Sequence, residues 1–266
     1  MIVPVYDAAA NIRPLAAELR AAFAGEARSW ELIFVDDASA DETWSEIAAE
    51  AAADKRVRGV RHACNGGQSA ALWTGIQAAT GEVLATLDGD LQNDPADLPK
   101  LMNGLASADF VMGVRQTRRD NFVRRGSSGV ARQARKLVLG VDFRDTGCSL
   151  RVFRRSALHG VFPFNGLHRF LPILVHGNGS RMAEMPVNHR PRRAGVSKYG
   201  VWNRLGRGIV DLFAVRWYQK RRLPPLPVSE TTAVSQPLSC SLEIPGGTMV
   251  SSAGNGEKLP RRSFLA

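Results

Sequence analysis

Asp88 and Asp90 stand one residue apart in Leu87-Asp88-Gly89-Asp90-Leu91-Gln92, directly after an apolar run. Two carboxylates at that spacing suit the hard cations Mg²⁺ and Mn²⁺, which take one or two protein carboxylates and complete their shell with water and substrate phosphate. The predicted chemistry is a metal held beside a diphosphate. Residues 82–87 read as a short buried strand, so the carboxylates emerge at its carboxyl end, where open α/β sheets bind ligands. Asp-Gly is also a common turn dipeptide, and the rest of the chain decides between the two.

Residues 1–112 alternate short β-rich runs with helical ones, the pattern of βαβ units and a parallel sheet. The spacing predicts strands at 2–5, 31–35, 57–61, 83–87 and 110–112, with helices at 11–24, 41–53, 68–79 and 96–106. Ser39 followed by Glu42 reads as a capping box that starts the second helix just after Asp36 and Asp37. The loops after Val5, Val35 and Leu87 then converge on one sheet edge, each with polar or acidic residues. Residues 123–139 read as a basic helix, and 145–151 as a polar turn running into a strand. Residues 203–222 alternate Leu205, Ile209, Leu212, Phe213, Val215, Trp217 and Tyr218 with Arg204, Arg207, Arg216, Lys220, Arg221 and Arg222. That is a basic amphipathic helix suited to a membrane surface; a helix packed on its own domain with a solvated basic face is the alternative. Pro, Ser, Thr and Gly without periodicity make 223–266 an expected disordered tail. The expected organisation is a catalytic domain over 1–200, an interfacial helix over 201–222 and that tail.

With 266 residues and 44% hydrophobic content, the chain can bury a sizeable core. Cys64, Cys148 and Cys240 form neither a metal knuckle nor a disulfide framework, so a reducing, cytoplasmic setting is expected. No signal peptide and no apolar run of about 18 residues is present, so no spanning segment is expected. A start clipped by a few residues stays open, because the first strand begins at Ile2. The net charge of +10 is divided unevenly. Residues 1–111 carry 8 Lys and Arg against 17 Asp and Glu, a net of −9, whereas residues 112–222 carry 24 against 5, a net of +19. The basic segment attracts phosphates, anionic lipid headgroups or nucleic acid. A nucleic-acid module leaves the acidic strand-end loops without a task and lacks a stacking aromatic platform, so nucleic acid is not an expected partner. A non-catalytic membrane scaffold has no use for Asp88, Asp90 and Gln92. The five histidines show no metal spacing.

Six segments stand in order along the chain: Val3-Pro4-Val5-Tyr6, Val35-Asp36-Asp37-Ala38-Ser39-Ala40-Asp41, Asn65-Gly66-Gly67, Asp88-Gly89-Asp90-Leu91-Gln92, Asp145-Thr146-Gly147-Cys148 and Arg192-Arg193-Ala194-Gly195-Val196-Ser197-Lys198-Tyr199. Together they resemble the family 2 glycosyltransferases of GT-A fold, in the polyprenyl-phosphate branch that includes dolichol-phosphate mannose synthase and bacterial undecaprenyl-phosphate sugar transferases. The resemblance covers residues 2–222. It implies an α/β, Rossmann-like, mostly parallel sheet flanked by helices, with C-terminal amphipathic helices. The family reads Asn-Glu-Glu after the tyrosine; here Asp7-Ala8-Ala9 leaves only Asp7 to approach the nucleotide. Many bacterial relatives continue into transmembrane hairpins. This sequence shows none, so attachment is expected to be peripheral on the cytoplasmic face of the membrane or supplied by a membrane-anchoring partner.

The resemblance also implies roles. Pro4, Tyr6, Asp7, Val35 and Asp37 hold the nucleoside, Asp88, Gly89 and Gln92 complete the nucleotide-sugar site, and Asp88, Asp90 and Gln92 hold Mg²⁺ or Mn²⁺. Arg115, Arg192 and Lys198 add cationic donors to the diphosphate or the acceptor phosphate. Asp145 is the candidate for a base or orienting carboxylate, with a structural turn as its alternative. An alcohol acceptor needs a base. A phosphate monoester with a second pKa of about 6 is already largely dianionic at pH 7 and does not. The expected reaction is inverting transfer of a sugar from GDP-mannose or a UDP-sugar to polyprenyl phosphate at an anionic membrane surface. The alternative is a same-family enzyme acting on a glycan or cell-wall acceptor.

Overall fold

The computed structural model describes residues 1–116, 132–191 and 201–221, with side chains in the last segment from residue 208 onward. In chain order the elements are β1 (Ile2–Val5), α1 (Ala9–Ala22), β2 (Leu32–Asp36), α2 (Thr43–Ala53), β3 (Val57–Arg61), α3 (Gln68–Ala78), β4 (Val83–Thr86), α4 (Leu98–Gly104), β5 (Phe110–Arg115), α5 (132–139), β6 (Arg151–Arg154), α6 (Leu167–Gly177), β7 (Met182–Val187) and α7 (Val201–Arg221). One seven-stranded sheet runs in the order β3-β2-β1-β4-β6-β5-β7. β6 is antiparallel to β4 and β5, and the other pairings are parallel. The expected mostly parallel sheet flanked by helices is therefore present. Of the expected helix at 123–139, the part at 132–139 is described; Arg192, Lys198 and the 223–266 tail lie outside the described residues.

β2 is Leu-Ile-Phe-Val-Asp with every residue buried, as a parallel strand covered on both faces requires. On one face Phe34 packs with Ile12, Leu15 and Leu19 of α1 and with Leu98 and Leu101 of α4. On the other, Ile33 and Val35 meet Ala71, Leu72 and Ile76 of α3, and the cluster continues to α6 through Phe110 and Phe153. Those two rings stack with centroids 4.9 Å apart. Gly75 lets α3 approach, since a Cβ there would lie 2.3 Å from Ile2 Cγ2.

Two elements carry weak sequence signals. β7 contains Pro186 and sits at the sheet edge, where a missing N–H is tolerated. α6 carries Pro172 inside it and starts behind Gly166 at φ 129°. The second helix also begins later than its capping-box pattern predicts. It starts at Thr43, whose N–H donates to Asp41 Oδ1 at 3.0 Å, while Ser39 Oγ instead accepts the Asp7 N–H at 2.9 Å.

That substitution binds the strand-end loops to one another. Ala40 N–H donates to Asp7 Oδ1 at 2.9 Å, and Ala8 N–H to Thr43 Oγ1 at 2.8 Å. Each loop contains one non-glycine residue in the left-handed region: Asp7 at φ 45°, Ala38 at 61° and Leu91 at 62°. Such residues are uncommon, and a leucine there is a true outlier.

α7 packs one face on the domain. Leu212 and Val215 are buried, and Tyr218 Oη donates to Gly160 O at 2.9 Å. Ile209, Val210, Phe213 and Trp217 are exposed. No helix among the described residues is long and apolar enough to cross a membrane.

The left-handed cost for an L-residue is about 1–2 kcal/mol, partly offset by the greater unfolded-state entropy of glycine. Ala38→Gly is expected to raise unfolding stability by about 0.5–1 kcal/mol. Urea denaturation reads this as a higher midpoint at unchanged slope, and a lower midpoint would show that the Ala38 methyl group contributes more than its strain costs.

Candidate active site

The loop after β4 brings Asp88 and Asp90 to the carboxyl edge of the sheet. Gly89 is what permits it: a Cβ there would lie 2.5 Å from Val5 Cγ1 and 3.3 Å from Pro4 O, so the backbone rests directly on β1. Gln92 N–H closes the turn onto Asp90 Oδ1 at 3.2 Å.

Asp88 is buttressed from two elements. Gln68, the first residue of α3, donates its side-chain amide to Asp88 Oδ1 at 2.9 Å. The Ser149 hydroxyl also bonds Asp88, and it is itself held by Asn93 Nδ2 at 2.8 Å. Burial, then the neighbouring Asp90 charge, pushes the Asp88 carboxyl above the usual carboxylate range, opposed by Ser149, Arg151 and Arg115. Two like charges in a half-buried site are a stress that a cation relieves.

Behind the aspartates lies the Asp145-Thr146-Gly147-Cys148 turn. Arg115, at the end of β5, donates to Asp145 through Nε at 2.7 Å and Nη2 at 2.8 Å, a bidentate clamp. Gly147 leaves room for it, with its Cβ position 3.3 Å from Arg115 Nη2. Arg151 is buried and donates to Cys148 O and Thr146 O, each at 2.9 Å, which fixes the turn. Burial raises the Cys148 thiol to about 11, so it is a protonated packing group at neutral pH.

The nucleoside-side residues divide. Tyr6 is exposed beside Pro4, whereas the Val35 side chain is fully buried in the core. Asp7 is spent partly on Ala40 N–H. Asp37 is buried, and its carboxylate accepts the N–H groups of Gly66 at 2.8 Å and Gly67 at 2.7 Å and faces His62 Nδ1 at 2.7 Å. Gln92 Nε2 reaches Arg190 O at 3.4 Å, and Arg190 N–H donates to Gln92 O at 2.8 Å. Arg190 therefore lies beside the Asp-Gly-Asp turn. Gln68, Ser149 and His62 escaped the sequence reading. The polar run Asn65-Gly66-Gly67-Gln68 ahead of an apolar helix was the one signal for Gln68.

Among the described residues no three His, Cys, Asp or Glu gather as a metal cluster. Two carboxylates suffice where a phosphate and water supply the remaining oxygens, so Asp88 and Asp90 fit Mg²⁺ or Mn²⁺.

A mostly parallel sheet flanked by helices, with paired carboxylates at the carboxyl end of a strand, defines an α/β domain with a ligand-binding edge. Solved structures agree on the fold: glucosyl-3-phosphoglycerate synthase of Mycobacterium tuberculosis, in complex with Mn²⁺, UDP-glucose and glycerol 3-phosphate, superposes with a TM-score of 0.58 at 18% identity over 81% of this chain and 78% of that one. The same enzyme with Mg²⁺ and UDP gives a TM-score of 0.60 at 18% identity, over 81% and 77% of the two chains. Residues 1–162 match Glycosyl transferase family 2, and the chain belongs to that family. It is therefore a glycosyltransferase. Among curated relatives it is 37% identical over 234 residues to dodecaprenyl-phosphate galacturonate synthase of Rhizobium johnstonii, covering 85% of this chain and 68% of that protein. It is 35% identical over 205 residues to undecaprenyl-phosphate 4-deoxy-4-formamido-L-arabinose transferase of Shewanella sediminis, covering 76% and 62%. The chain thus spans about two thirds of the length of these relatives.

Removing one member of a buried ion pair strands its partner at a cost of about 3 kcal/mol or more. Asp145→Asn is expected to lower unfolding stability by about 3 kcal/mol, read by denaturant titration. Unchanged stability with lost transfer would return Asp145 to the role of a catalytic base.

Proposed function

We propose that the chain transfers one sugar, with inversion, from a nucleotide-sugar to a polyprenyl phosphate at the cytoplasmic membrane face. The observation that carries this reading is the Asp88–Asp90 pair at the sheet edge in a chain 37% identical to a dodecaprenyl-phosphate sugar transferase. The donor is GDP-mannose or a UDP-sugar. Tyr6, Asp37 and the Pro4 backbone face its nucleoside, and Asp88, Asp90 and Gln92 lie at its diphosphate. A divalent cation bound there supplies Lewis-acid neutralisation of the departing diphosphate.

A phosphate oxygen of the acceptor forms the new bond to the anomeric carbon as the bond to the nucleoside diphosphate breaks, and the diphosphate leaves with the electron pair. The nucleophile arrives charged, so no proton has to be removed from it. This agrees with the state of Asp145, which is held by Arg115 and buried. Arg192 and Lys198, which follow Arg190 in the chain, steer the acceptor phosphate in this proposal.

Asp90→Ala is expected to abolish transfer to undecaprenyl phosphate and to remove Mn²⁺ binding measured by calorimetry, with the fold intact because the side chain is not in the core. Full activity of the wild-type chain in excess chelator would remove the metal from the reading.

The exposed stripe Ile209, Val210, Phe213 and Trp217 on α7, with exposed Arg216, Lys220 and Arg221 beside it, supports docking on an anionic membrane surface. Each Lys or Arg near such a surface contributes about 1 kcal/mol, screened over a Debye length. The chain is expected to sediment with anionic vesicles at low salt and to release as salt rises, and the double variant Phe213→Glu with Trp217→Glu to stay in solution. Undiminished sedimentation of the double variant would place membrane contact elsewhere.

A further inference from the structure

We propose that His62 selects the donor base: by occupying the second acceptor position on Asp37 Oδ1 it leaves the carboxylate one position at which to accept a hydrogen bond, which suits uracil and rejects guanine. This rests on the reading that Asp37 faces the nucleoside, and it settles the choice which that reading leaves open.

An ionised carboxylate offers about four acceptor positions, two on each oxygen, and no donor. Oδ1 of Asp37 takes the Gly66 N–H at 2.8 Å and lies 2.7 Å from His62 Nδ1. Oδ2 takes the Gly67 N–H at 2.7 Å. Because the carboxylate only accepts, Nδ1 carries the hydrogen. Nε2 lies 2.9 Å from Thr74 Oγ1, a hydroxyl that can serve as either donor or acceptor to it. The imidazole is thus tethered at both nitrogens, to the end of β2 and to α3.

Asp37 has no freedom to turn another face. Its N–H donates to Val5 O at 3.0 Å, and its carbonyl accepts from Asn65 Nδ2 at 3.2 Å. Among the described residues, Oδ1 is filled and Oδ2 has one position left.

The two bases differ in what they ask of a carboxylate. Guanine presents N1–H and N2–H side by side, a pair that uses one position on each oxygen. With Oδ1 filled, one of those donors enters a buried site unpaired. Uracil presents a single N3–H between two carbonyls and needs only the Oδ2 position. Leaving a donor unpaired against a charged acceptor costs a factor of about 10 to 100 in affinity. Had His62 been apolar, Oδ1 would have kept a position and the pair would have fitted.

The experiment is calorimetric titration of the full chain with UDP and with GDP in Mg²⁺, for wild type, His62→Leu, His62→Gln and Asp37→Asn, each checked for folding by thermal melting. Wild type is expected to bind UDP about 10- to 100-fold more tightly than GDP. His62→Leu should narrow that ratio about tenfold, mainly through tighter GDP binding, and His62→Gln, whose amide donates to the same oxygen, should keep it. A brace with no part in selection would weaken both nucleotides equally and leave the ratio unchanged. Should His62→Leu not fold, Thr74→Val, which removes the hydrogen-bond partner of Nε2, tests the same ratio. Unchanged UDP affinity in Asp37→Asn would overturn the nucleoside reading of Asp37 itself. Weakened UDP in Asp37→Asn, with an unaltered ratio in His62→Leu or Thr74→Val, would overturn the role of His62 alone, as would a wild-type chain that prefers GDP.

Discussion

The contact on which the site depends is the one between Gly89 and the end of β1. The Gly89 Cα approaches so closely that a methyl group would fall 2.5 Å from Val5 Cγ1. That approach fixes where the two flanking carboxylates stand, and the surrounding groups respond to it. Gln68 and Ser149 bond Asp88, Asn93 holds Ser149, and Thr86 Oγ1 donates to Ser149 O at 2.8 Å. Burying two like charges opposes folding. The packed sheet beneath can sustain the stress because Ile2, Val3 and Val5 of β1 are buried on both faces.

The same compromise is visible in the neighbouring loops. Asp7, Ala38 and Leu91 all adopt left-handed backbone conformations, one in each strand-end loop. Strain gathered at one edge of a sheet survives only where side-chain bonds over-determine the backbone. Here Ser39, Thr43 and Asp41 accept from the first loop, and Asp7 accepts from the second.

The first half of the fold was legible because β1, β2, β4 and β5 are short, largely apolar runs separated by helices, and a D-x-D at the end of one such run names its own edge. β7 and α6 were not, since Pro186 and Pro172 break the periodic signal while tertiary context tolerates them at a sheet edge and in a packed helix. In the site, the acidic positions could be read but not their partners. Arg115 and Asp145 were both legible as functional groups, yet nothing in a one-dimensional pattern says that they clamp each other across 30 residues of chain. His62 is the sharper case. It looks like an ordinary residue after a strand, and its link to Asp37 exists only because β3 lies beside β2 in register, with Arg61 opposite Asp36.

Segment charge shows a related limit. The excess of +19 in residues 112–222 reads as a surface for anions, but much of it is internally committed. Arg115 is paired with Asp145, Arg132 and Lys136 with Asp142, Arg181 with Asp109, and Arg190 with Glu18 and Asp94. Arg151, Arg154 and Arg155 donate to backbone carbonyls, and Arg155 takes Ile76 O and Ala79 O at the end of α3. Arginine serves here first as a fork-shaped donor that closes helix ends and turns. The cations that remain to meet an anion are therefore a smaller and more localised set than the net charge suggests: in the described residues they include Arg216, Lys220 and Arg221 beside the apolar stripe of α7. Positive charge next to exposed aromatic and aliphatic groups suits a ligand that is itself half anion and half hydrocarbon, which is what a polyprenyl phosphate in a bilayer presents.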